Sequence, residues 1–243
     1  MPSSTTFPKD PQIRYNGREL ESMAFAVNYH RWILRRLTPF LGKRIVEVGA
    51  GAGSFSELLL ETKPDSLMLL EPSNMYAALI QRLSTADKTR IAQAYQCTLG
   101  EAKFSSPPDS IVYVNVLEHI EEDEGELRTA HSILAPGGRV LVFVPANRWL
   151  MGSIDRQLGH FRRYTMDELI LKCRNAGFII RLSSYFDMAG IVPWWLKYCL
   201  FKSDRMEPAA VRLYDRWVVP IARALEGLVS PPVGKNILLV GEK

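Results

Sequence analysis

The chain reads as an α/β fold, a mainly parallel sheet covered by helices on both faces. Three observations predict it. Short apolar runs of strand length alternate with longer amphipathic segments from Ile45 onward. A glycine-rich turn, Gly49-Ala50-Gly51-Ala52-Gly53, leads straight out of the first run. Pro136-Gly137-Gly138 and Gly177 each interrupt a helical pattern just ahead of another apolar run.

The elements follow in order. Glu19 to Leu37 places Leu20, Met23, Val27, Leu34 and Leu37 near helical spacing, and Gly42 closes that unit. Ile45–Val48 is the first strand, and Phe55–Glu61 the helix after the glycine turn. Leu67–Leu70 and a helix over Met75–Leu83 follow, then a strand with a weak pattern over Ile91–Cys97. Ile111–Val114 leads to a helix over Glu124–Leu134, and Val140–Val144 is the fifth strand. Thr165 caps the next helix, with Glu168 three residues on as the partner of a capping box. Phe178–Leu182 is the sixth strand, and Ile237–Val240 the last. Between them, Met188 to Val233 is rich in aromatics and prolines and reads as a helical insertion. The expected division is an N-terminal arm and lid helix over 1–40, a core over 41–185, and the insertion with the final strand over 186–243 in the same domain.

Composition excludes several classes. With 47% hydrophobic and 23% charged residues, the chain is neither disordered nor a collagen-like fibre nor a coiled coil. Thirty basic against 26 acidic residues leave +4, too little to indicate nucleic acid but no obstacle to an anionic ligand or surface. Cys97, Cys173 and Cys199 lie far apart without a CxxC pair, so neither a disulfide framework nor a zinc site is expected, and a reducing, cytoplasmic setting is. Met1–Pro11 lacks the apolar stretch of a signal peptide, and Met188–Phe201, broken by Pro193 and Lys197, is too short to span a bilayer. A soluble protein is expected, touching a membrane only peripherally. Oligomeric state is not legible.

Two acidic residues sharpen the glycine turn. Glu71 ends the second strand 18 residues beyond Gly53, where a carboxylate accepts from both hydroxyls of a ribose. Glu47 stands before the first glycine, where it would repel a pyrophosphate but attract an ammonium and a sulfonium. The spacing is GxGxG rather than the GxGxxG of dinucleotide binders. Both details favour S-adenosylmethionine (SAM) over NAD.

Glu47 to Gly53, Glu71, the segment Asp109 to Ile120 and Leu134-Ala135-Pro136-Gly137-Gly138 together resemble a class I SAM-dependent methyltransferase over roughly residues 40–185. Leu158 to Tyr164 and Pro232 to Asn236 resemble a bacterial subgroup with small or amphipathic substrates. The resemblance implies a seven-stranded Rossmann-like sheet whose last strand is antiparallel. It implies that Glu47, Gly49, Ala50, Gly51 and Gly53 surround the methionine part, and that Glu71 with Pro72 holds the ribose. Thr98 and Leu99 would face the adenine, with Thr98 where the family often has Asp, and Asn115 would lie under the methionyl group.

Methyl transfer needs alignment first, and a base only if the nucleophile must lose a proton. His160 is the leading candidate, followed by His119 and Tyr164. Asp155, Arg162, Arg163, Tyr29 and Trp194 are candidate substrate contacts, the arginines because a guanidinium pairs with carboxylate or phosphate. Structural roles remain open for all: His160 bracing its loop, Arg162 and Arg163 in ion pairs, the insertion's aromatics as packing, and Asn28-Tyr29-His30 as an ordinary helix turn rather than a lid. Glu118, His119 and Glu122 share helical spacing, but Asn115 stands where metal-binding relatives carry another carboxylate, so no metal is expected. The Asn-Pro-Pro-Tyr-like motif of base methylation is absent after the fourth strand. The function read from these residues is methyl transfer to a small or amphipathic metabolite, with the atom (O, N or C) undetermined. The alternatives are a SAM- or SAH-binding partner protein without turnover in a glycan or lipid pathway and, disfavoured by Glu47, an NAD-dependent oxidoreductase.

Overall fold

The computed structural model describes residues 26–84 and 91–243. Seven strands form one sheet in the order β3-β2-β1-β4-β5-β7-β6. They are β1 (Arg44–Val48), β2 (Ser66–Leu70), β3 (Ala92–Tyr95), β4 (Ser110–Val114), β5 (Arg139–Pro145), β6 (Ile179–Phe186) and β7 (Asn236–Glu242). The pairings among β1–β5 are parallel, and β7 runs antiparallel between β5 and β6. The last two strands therefore pair across the intervening insertion. Chain order reverses between β1 and β4, which opens a crevice at their C-terminal ends, where ligands of such sheets bind.

Alternation along each strand feeds two apolar layers. Ile45, Leu69, Val112, Phe143 and Leu238 face one side with α1 (Val27–Leu37). Val46, Leu70, Tyr113, Val142 and Leu239 face the other with α4 (Asp123–Ile133) and α6 (Met166–Asn175). The remaining helices of the core are α2 (Ser54–Glu61), α3 (Tyr76–Leu83) and the short α5 (Ser153–Gln157).

Three elements differ from the sequence expectation. β3 is shorter because it is an edge strand with a half-exposed face. β6 runs on to Phe186 through exposed Ser183 and through Ser184, which is buried and accepts from Arg36 at 3.1 Å, and it is bulged between Ile180 and Leu182. Thr165 caps α6 by accepting from the Glu168 N–H, but the Glu168 carboxylate turns to Arg148 at 2.9 Å, so only half of the capping box forms. The part of the expected N-terminal helix before Ala26 lies outside the described residues. In its described part, Trp32, Ile33 and Leu37 of α1 are buried in the core.

The insertion is helical, as expected. Here α7 (Ile191–Trp194) continues as a π-helical stretch over Trp195–Leu200, and α8 (Pro208–Leu213) passes through π-helical Tyr214–Val218 into α9 (Val219–Leu228). Val219 and Ala222 share the core layer of Trp32 and Phe186. Its polar anchor is Asp215, whose two oxygens accept from the backbone N–H groups of Asn28 (3.0 Å) and Tyr29 (2.8 Å). The residue at the N-cap of α1, Ala26, has no side chain able to do this, so a carboxylate 187 positions along the chain caps the helix and complements its dipole. Replacing Asp215 by Ala strands two donors and is expected to cost about 1–3 kcal/mol in urea unfolding. Asp215→Asn, which keeps one acceptor, is expected to lose less.

Candidate active site

The glycine turn is pinned to the end of β2. The N–H groups of Gly49 and Ala50 both donate to the Leu70 carbonyl, at 2.8 and 3.0 Å. Gly51 N–H donates to Glu71 Oε2 (2.7 Å) and Ser73 N–H to Glu71 Oε1 (2.9 Å). Gly49 has φ +66°, and a Cβ there would lie 2.6 Å from Val116. Gly51 also has a positive φ, +56°, but nothing lies within 4 Å of its would-be Cβ. The turn is thus closed against protein at Gly49 and open at Gly51. On the other bank of the crevice, Asn115 takes a left-handed φ of 55° as β4 ends, and its N–H donates to Phe143 O.

These residues fit S-adenosylmethionine. The open side at Gly51 admits a close-lying chain, and each oxygen of buried Glu71 accepts one backbone N–H and keeps capacity for a hydroxyl. Glu47 departs from the sequence picture of a standing negative charge. It is buried, Ser56 Oγ donates to it at 2.5 Å, and burial with a smaller push from Glu71 raises its pKa to about 8. Glu47 holds its proton near neutrality and becomes a carboxylate when a cation is brought to it. Pro72 lies half-buried between Glu71 and Ser73. Thr98 N and Oγ1 both donate to Glu101 at 2.8 Å, which braces the turn after β3. The Leu99 side chain lies in the core with Val48 and Leu70.

A second cluster follows β4 and β5. Asp155 is fully buried; its Oδ1 contacts Arg163 Nε and His160 Nδ1, each at 2.9 Å, and its Oδ2 accepts Gly152 N–H at 2.8 Å. Burial alone would raise this carboxyl, but those three donors hold it below the usual carboxylate range. Asp155 therefore fixes the orientation of the His160 ring through Nδ1. Its ring stands edge-on to His119, centroids 4.5 Å apart. Burial, reinforced by His160, lowers the His119 pKa to about 3, so His119 is neutral. Beneath them Glu118 is fully buried with neither carboxyl oxygen hydrogen-bonded, and burial raises its pKa to about 7. Glu118, His119 and His160 each bring a potential metal-ligand atom within 4.8 Å of the others, so the structure replaces Glu122 of the sequence triplet by His160.

Four sequence candidates change role. Tyr164 is fully buried, its hydroxyl 2.7 Å from Asp123 and 3.1 Å from the Leu117 carbonyl, out of a substrate's reach. Asp155 and Arg163 are buried against each other, so Asp155 orients His160 rather than touching substrate, while Arg163 lies 4.6 Å over the Trp194 ring. Arg162 is tied to Asp123 (2.8 Å) and donates to the Glu121 carbonyl (2.8 Å).

Tyr29 and Trp194 do line a chamber between α1 and the insertion, together with Tyr198 and Tyr214. Lys235 enters it from the turn before β7. Its Nζ lies 4.9, 5.4 and 5.8 Å from the rings of Tyr29, Trp194 and Tyr214, and 2.8 Å from Asp187 Oδ2. The Lys235 carbonyl accepts from Ala146 N–H at the end of β5, which sets the chamber beside the sheet's C-terminal edge. Sequence reasoning gave Lys235 and Asp187 no role. The signal was present only in Gly234-Lys235-Asn236 directly before a strand.

The buried groups give stability a pH dependence of defined sign. Glu47 holds its proton to about pH 8 and Glu118 to about 7, against 4.5 when unshifted, so the folded state carries extra protons and stability falls as pH rises through that range. His30, lowered to about 4 by burial, and His119 act oppositely but only below 6.5. Urea unfolding is therefore expected to show stability falling between pH 6.5 and 8, and Glu47→Gln to flatten the upper part of that fall.

The fold and these contacts can be set beside known proteins. A model of the methyltransferase domain family matches residues 21–183. The ubiquinone biosynthesis O-methyltransferase of Aeromonas salmonicida (strain A449) is 25% identical over 178 residues, covering 66% of this chain and 71% of its own. The solved structure of an S-adenosylmethionine-dependent methyltransferase from Mesorhizobium loti matches with TM-score 0.57 at 17% identity, over 86% of this chain and 95% of that one. The [4+2]-cyclase SpnF matches with TM-score 0.60 at 16% identity, over 89% and 81%, so likeness of structure at this level carries the fold and not the reaction. The family match is what reaches the reaction, since it spans the glycine turn and β1 through β5: the chain belongs to the methyltransferase domain family and is a SAM-dependent methyltransferase.

Proposed function

We propose that the chain methylates an oxygen of a small amphipathic molecule bearing an anionic group, with His160 as general base. The observation that carries this reading is the chamber, where the Lys235 ammonium, held by Asp187 at 2.8 Å, stands among three aromatic rings beside the end of β5. Aromatic walls suit an apolar body, and Lys235 suits a carboxylate, phosphate or phenolate. Arg163, stacked on Trp194 and bonded to Asp155, couples the chamber wall to His160. The curated relatives are named O-methyltransferases, which supports an oxygen nucleophile, the case in which a base is needed.

Bound S-adenosylmethionine supplies an electrophilic methyl on a sulfonium, so catalysis is mainly a matter of alignment. The open face at Gly51 would admit the methionyl chain, Glu71 would receive ribose hydroxyls, and Glu47 would face the ammonium as a carboxylate. Lys235 and the rings hold the acceptor molecule. His160 Nε2 takes the hydroxyl proton, and Asp155 stabilises the imidazolium that results.

In calorimetry with SAH, Glu71→Ala is expected to weaken binding about tenfold or more, since it removes charge-assisted acceptors and frees the glycine turn. His160→Ala is expected to leave SAH binding intact and to lower turnover about 10²–10⁴-fold on a phenolic acceptor. Equal loss of binding in both variants would remove His160 from the chemistry. Normal SAH binding with no turnover on any of a panel of phenolic and carboxylic amphiphiles would favour the non-catalytic partner reading.

The unpartnered Glu118 carboxyl favours one second reading, in which a divalent cation on Glu118, His119 and His160 activates the nucleophile. Chelation separates the two. Turnover unchanged by EDTA keeps His160 as the base, while loss restored by Mg²⁺ or Mn²⁺ assigns the cation.

A further inference from the structure

The helix running through α8 and α9 packs Val219 and Ala222 on the core, yet its outer side is rich in apolar residues too. Its inner side carries carboxylates: Asp215 caps α1, and Glu226 accepts from the N–H groups of Asp187 (3.1 Å) and Met188 (2.8 Å). Its outer side carries Leu213, Trp217, Ile221 and Leu225 at four-residue steps, ending on Leu228, which is 84% exposed. The α7 segment likewise exposes Val192, Leu196 and Phe201 while its Trp194 and Tyr198 face the chamber. Twelve of the twenty large apolar side chains that stand exposed among the described residues fall between Met188 and Val229. A patch of that kind marks a binding surface.

Charge identifies the occupant. Lys202, Arg205, Arg212 and Arg216 are exposed on this segment against Asp204 and Glu207, because its other two carboxylates, Asp215 and Glu226, are turned inward. The Arg216 guanidinium lies 5.4 Å over the Trp217 ring, which joins cation and aromatic at one spot. A second copy of the chain pairing through this face would set its cations against themselves. An anionic bilayer satisfies both features, apolar groups entering the acyl boundary and cations meeting headgroups.

We propose that the outer face of the insertion docks on the surface of an anionic bilayer. No helix among the described residues is long and apolar enough to cross a membrane, so the contact is with one leaflet. The same segments wall the chamber, and docking sets that wall against lipid. The substrate class narrows accordingly to molecules that partition into the leaflet, a step that rests on the proposed methyl transfer; the docking itself does not.

The test is sedimentation of the full chain with extruded vesicles, either pure phosphatidylcholine or containing about 30 mol% phosphatidylglycerol. Binding is expected to the anionic vesicles, roughly tenfold weaker to the neutral ones, and weakened by salt. Trp217→Ser combined with Ile221→Ser is expected to reduce partitioning about tenfold or more, and Arg216→Glu to act in the same direction. SAH binding by each variant verifies that it is folded. No binding to anionic vesicles overturns the proposal, as does equal binding by the wild type and the double variant. A concentration-dependent dimer abolished by the double variant, without vesicle binding, assigns the face to self-association instead. Vesicle binding needs no turnover, so its failure and a failure of the methyl-transfer reading are told apart.

Discussion

A single carboxylate organises the cofactor side of the molecule. Glu71 takes the N–H of Gly51 on one oxygen and that of Ser73 on the other, which ties the loop after β1 to the loop after β2. With Gly49 and Ala50 already bonded to Leu70, the glycine turn has few ways to move. The crevice between β1 and β4 keeps its shape because its banks are held by hydrogen bonds of the neighbouring strand rather than by a bound ligand. Removal of that acceptor would leave two N–H donors exposed to a partly apolar environment.

Buried acids fall into two groups with different consequences. Asp123, Asp155, Asp187 and Asp215 are surrounded by donors or cations and serve as hubs. Glu47 and Glu118 are short of donors, and burial lifts both toward neutrality. The first group fixes geometry: Asp155 orients the His160 ring, and Asp215 closes the insertion onto α1. In the second group, Glu47 stands before the glycine turn and Glu118 beside two imidazoles. An uncompensated buried carboxyl lowers stability, which is a cost expected at functional positions rather than in a purely structural core.

The insertion is apolar on both sides. Val219 and Ala222 face the core together with Asp215 and Glu226, which have N–H donors to accept there, and a further row of apolar residues faces outward. A helix optimised only to pack on its own sheet would carry polar residues on that outer side. The π-helical stretch after α7 is thus a wall with two sides, Tyr198 toward the chamber and Leu196 outward, as is α8 with its continuation, Tyr214 inside and Leu213 and Trp217 outside.

Much of this was legible in the sequence. Strand and helix alternation, the glycine turn, Glu71 and the antiparallel return of the final strand followed from local periodicity and from the family resemblance, because those signals lie within a few neighbouring residues. The edges were less legible: β3 and β6 have one open face, so their polarity no longer reports where a strand stops. The sequence placed His160, Asp155, Arg162, Arg163 and Tyr164 in one segment but could not rank them. Tertiary structure decided that Tyr164 and Asp155 are fully buried, Tyr164 bonded to Asp123 and Asp155 to His160. It also decided that Asp215 caps a helix at the other end of the chain and that Lys235 stands among rings contributed by three separate segments. The role of a charged or aromatic side chain depends on its burial and its partners, and both are set by contacts between residues remote in sequence, which no local pattern encodes.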